Sequence, residues 1–85
     1  MKNIVIIEDD AKLVACLKES LEKADIKLWV ETTRTGFVRL QMLEAADIKC
    51  DNVIVRKNAV GAGNKLITEF VARNFPNIRI ITIDP

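Results

Sequence analysis

Four short β-branched runs separated by three stretches of helical periodicity most limit what this chain can become. Asn3 to Ile7 is the first run, closed by acids, and reads as a strand buried on both faces. Leu13, Val14, Leu17 and Leu21 then recur at three- and four-residue spacing among charged residues, which predicts an amphipathic helix with Asp10 as its N-cap. Lys27 to Thr33 alternates Leu28 and Val30 against Trp29 and Glu31, a strand with one wetter face that belongs at a sheet edge. Gly36 marks a turn into a second helix carrying Leu40 and Leu43. Asp51 to Val55 is a third strand, followed by a loop from Arg56 to Gly63. Asn64 can cap a third helix with Leu66, Ile67, Phe70 and Val71 on one face, ended by Asn74, Phe75 and Pro76. Ile78 to Ile83 is the fourth strand. The order β-α-β-α-β-α-β calls for an α/β domain: a parallel sheet with right-handed crossovers and helices on both faces.

Length and charge narrow the functional classes. Eighty-five residues suffice for one domain, 1–85, and bury only a modest core. With 49% apolar residues but 5% aromatic, that core is aliphatic. Thirteen basic residues against twelve acidic ones give a formal charge of +1, with no basic run to suggest nucleic acid or an anionic membrane. Ile4 to Ile7 is too short for a signal-peptide core and runs straight into acids, so a cytoplasmic protein is expected. Cys16 and Cys50 lack CxxC spacing and the chain has no His, which disfavours zinc and a His-assisted nucleophile. Two reduced, partly buried thiols are expected.

Over nearly its whole length the chain resembles the receiver domain of two-component response regulators. The likeness rests on Ile4-Val5-Ile6-Ile7-Glu8-Asp9-Asp10, on Leu13, Leu17 and Leu21, on Val30 and Gly36, on Asp51-Asn52-Val53-Ile54-Val55, and on Phe75-Pro76-Asn77-Ile78-Arg79-Ile80-Ile81. It implies a three-layer flavodoxin-like sheet in strand order 2-1-3-4, without the family's fifth strand and helix. The resemblance places the phosphorylated aspartate at Arg56, the family's proline at Val60 and its hydroxyl residue at Asp84. The family's lysine has no counterpart, since the sequence stops at Pro85. A guanidinium cannot form an acyl phosphate, so no phosphoacceptor, no catalytic residue and no cofactor are expected.

Asp9 and Asp10 match the family's metal-binding acids and, with Arg56 and Asp84, form an expected degenerate acid pocket at the carboxyl ends of the strands. Arg56 should bond Asp9 or Asp10 in place of a metal ion. The alternatives are a relict metal site on Asp9, Asp10 and Asp84, an acid/base pair, or an anion cradle at Gly61-Ala62-Gly63-Asn64-Lys65. Trp29 reads equally as interface anchor or strand core.

The leading expectation is a non-catalytic signalling module in a phosphorelay setting that works by binding protein, as a homodimer or with another receiver. Leu13, Cys16, Leu17, Ser20, Ile80, Ile81 and Ile83 are its candidate interface. A small-ligand α/β module and a fragment of a longer regulator are the competing readings.

Overall fold

A computed structural model describes residues 1–56 and 63–83, with the side chains of 63–66 also outside the description. The elements run β1 (Lys2–Ile7), α1 (Ala11–Leu21), β2 (Ile26–Glu31), α2 (Gly36–Ala45), β3 (Asn52–Arg56), α3 (Gly63–Asn74) and β4 (Arg79–Ile83). All strand pairings are parallel, as the element order predicts, and the sheet order is β2-β1-β3-β4, the flavodoxin-like arrangement that the resemblance implies.

Period-two alternation divides the side chains of the sheet between two cores. Val5, Ile7, Val53 and Val55 join Leu40 and Leu43 of α2 and Ile67 and Val71 of α3, all buried. On the other face Ile4, Ile6 and Ile54 form a smaller cluster, against which Leu17 and Leu21 of α1 pack while remaining partly exposed. No residue of α1 is buried, whereas α2 buries Gly36, Leu40 and Leu43. The β1 run is apolar on both sides because each side has a helical layer to face.

Local chemistry sets the helix ends. Asp10 caps α1 as expected: its side chain accepts from the Lys12 and Leu13 amides, at 2.9 and 3.4 Å. Gly36 is needed for packing, since a Cβ there would lie 2.6 Å from Cδ1 of the fully buried Ile7. α2 ends without a glycine. Asp47 takes a left-handed φ of 57°, its amide donating to the Glu44 carbonyl while the Ile48 amide donates to that of Leu43, which closes a Schellman motif. Asp is one of the few side chains that accepts this conformation, and no glycine marks the position in the sequence. Gly63 already lies within α3, so Asn64 is not its N-cap.

Candidate functional site

The pocket at the carboxyl ends of β1 and β3 is built on Glu8. The pleat of β1 continues one residue past the strand, held by the Glu8 amide donating to the Glu31 carbonyl at 2.9 Å. Glu8 therefore points to the same side as Ile4 and Ile6, and it is 7% exposed. Arg56, the last residue of β3, meets it with two parallel bonds: Nη2 to Oε2 at 2.6 Å and Nε to Oε1 at 3.2 Å. Oε2 also accepts the Asp10 amide at 2.8 Å. This is the planar fork-to-carboxylate geometry that makes Arg the preferred partner of a desolvated acid.

The two acids singled out by the sequence are drawn elsewhere. Asp9 turns to the β2–α2 loop, where its oxygens accept the Thr33 amide and hydroxyl, each at 2.8 Å. These bonds, the amide's first, with the charges of Arg34 and Arg56, hold its carboxyl below the ordinary range. Asp10 is occupied as the α1 cap and stands 3.8 Å from Arg56 Nη2, a long contact beside the pair with Glu8. The expected bond from Arg56 to Asp9 or Asp10 is thus met only by that long contact, and among the described residues the two-bond partner is Glu8. Asp84, Val60 and most of the Gly61–Lys65 cradle lie outside the described residues.

The resemblance noted in the sequence implies a divalent metal, and the described side chains do not fit one. Both Glu8 oxygens are engaged by a guanidinium, Asp9 is satisfied by Thr33, and no group of three or more metal-ligating residues occurs among the described residues. An arginine among the acids supplies the positive charge that an octahedral ion would otherwise bring.

Neighbouring groups are similarly paired. Glu31 accepts from Arg39 Nε at 2.7 Å; burial pushes its carboxyl up, but bonds from Thr35 and Arg39 outweigh that and hold it low. Trp29 lies half-buried against the α2/α3 core, donates to Asn3 Oδ1 at 3.4 Å and is flanked by Lys27 and Arg39. Cys50 is buried, which pushes its thiol up and keeps it protonated; it lines a cavity of ≈ 360 Å³ with Leu40, Leu43 and Phe75. That cavity opens at the amino end of the sheet, away from Arg56. Cys16, expected to be partly buried, is exposed.

The candidate interface residues divide between the faces. Leu13 and Leu17 are half-buried, while Cys16 and Ser20 are exposed. Ile83 joins the α1-side cluster and Ile80 the opposite one. Ile81 pairs with Ile54 on the α1 side and remains 39% exposed.

Fold and pocket together define a flavodoxin-like α/β domain whose buried carboxyl-end acid, Glu8, is paired with Arg56. No protein-family model, curated protein or solved structure matches the chain. No described helix is long and apolar enough to cross a membrane.

Proposed function

We propose that the chain is a receiver-like signalling module that carries no phosphoryl group and acts by binding protein, with a second copy as its first partner. The observation that carries this reading is the two-bond pair between Arg56 and buried Glu8. It occupies the position where the resemblance puts an acceptor aspartate, and among the described residues it leaves neither a nucleophilic carboxylate at that position nor a free acidic cluster for Mg²⁺. The protonated thiol of Cys50 and the engaged carboxylate of Asp9 likewise offer no activated nucleophile. What remains for function is surface: a thinly covered α1 side and the exposed Ile81 of β4. The cytoplasm, where both thiols stay reduced, is the setting that suits such a module.

Incubation with acetyl phosphate and Mg²⁺, followed by intact-mass measurement, tests the first half of the proposal. The unmodified mass is expected throughout. A hydroxylamine-sensitive adduct of one phosphoryl group would overturn it.

A further inference from the structure

The two edges of the sheet are guarded differently. β2 carries Lys27 and Glu31, with the Trp29 ring flanked by two cations. Charge of this kind discourages another strand from pairing. β4 has no charge from Ile80 to Ile83, and no described strand lies beyond it.

The register fixes what the β4 edge presents. The Arg79 amide donates inward to the Asp51 carbonyl at 3.1 Å, so alternation turns Arg79, Ile81 and Ile83 toward β3 and the peptide groups of Ile80 and Thr82 outward. An outward row formed by residues i and i+2 is matched by an antiparallel copy of itself. Ile80 then exchanges both bonds with Thr82 of the other copy, Thr82 does the same with Ile80, and the twofold axis passes between the two Ile81 residues. The two Ile81 residues become a non-hydrogen-bonded pair with Cα atoms about 4.5 Å apart. Their side chains meet on the α1 side, where Ile81 is exposed and a β-branched pair is favourable. Each Arg79 stands two residues from the axis, so the two are about 14 Å apart at 3.4 Å per residue. That exceeds a physiological Debye length of about 8 Å, so the like charges do not oppose the pairing.

We propose that two copies of the chain join β4 to β4 about this axis into one continuous sheet. The inference rests on the homodimer reading above and gives it a geometry.

Cross-linking reads the register. In a Cys16→Ser background, Ile81→Cys is expected to form an inter-chain disulfide under mild oxidation, since about 4.5 Å lies within the disulfide range. Ile83→Cys, about 14 Å from its mate, is expected to stay unlinked. Thr82→Pro removes an outward N–H without touching the β3 ladder and is expected to weaken dimerisation about tenfold or more, the loss of roughly two hydrogen-bond contributions. Thr82→Val keeps the N–H and is expected to dimerise like the parent. Equal cross-linking at positions 81 and 83, or undiminished dimerisation of Thr82→Pro, overturns the edge pairing. If light scattering shows a parental dimer in that case, the homodimer reading survives with another surface; a parental monomer at high micromolar concentration overturns both.

Discussion

Arg56→Asp is expected to destabilise the chain in metal-free buffer by about 3–5 kcal/mol or more. The substitution removes both bonds to Glu8, whose side chain is only 5% exposed, and sets a second carboxylate against it. Breaking a buried ion pair by deleting one member costs about 3–5 kcal/mol, because the remaining charge is neither solvated nor compensated. The like charge adds to that loss. A chain of 85 residues, at about 0.05–0.15 kcal/mol per residue, has a total stability of only about 4–13 kcal/mol. Arg56→Met removes the pair without the repulsion and should cost about 3 kcal/mol in urea unfolding. Combining it with Glu8→Leu should recover most of the loss, since no buried charge is left behind. Mg²⁺ should raise the midpoint of Arg56→Asp and leave Arg56→Met unmoved, because only the former rebuilds an acidic cluster.

The second large effect follows from the unequal layers of the sheet. Leu40 of α2 is 1% exposed inside the larger core. Leu40→Ala should therefore cost about 3–4 kcal/mol, the transfer loss plus the cavity it leaves. Leu17 of α1 packs on the smaller cluster without being buried. Water already reaches part of it and the site can relax, so Leu17→Ala should cost about 1–2 kcal/mol. Urea unfolding of the two variants gives the comparison directly, and equal losses would mean that α1 is held as firmly as α2.

Element order and the Asp10 cap were legible because each follows from local pattern: β-branched runs, three- and four-residue spacing, and a short polar side chain ahead of a helix. Strand order came from the resemblance alone, since no local pattern places β1 between β2 and β3. The pocket was legible only in part. Arg56 stood out as a residue of the wrong chemistry at a strand end, but its partner did not. Glu8, Asp9 and Asp10 are adjacent acids, and which one turns inward depends on whether the pleat of β1 stops at Ile7 or runs one residue further. A single backbone bond, from Glu8 to Glu31, decides that, and it links segments far apart in sequence. Alternation from Ile4 and Ile6 was the available signal, and carried one step on it points to Glu8. The Thr33 partner of Asp9 and the positive φ of Asp47 likewise arise from how distant or neighbouring backbone closes. The division of Ile80 and Ile81 between faces, by contrast, is alternation again once the β3 register is known.

Titration calorimetry of the parent protein with Mg²⁺ at neutral pH tests most directly whether the chain's own charges close the pocket. Arg56 already satisfies Glu8, so no saturable heat is expected up to millimolar Mg²⁺, with Arg56→Asp alone acquiring a binding isotherm. Saturable micromolar binding by the parent, lost on Glu8→Gln or Asp9→Asn, would contradict it.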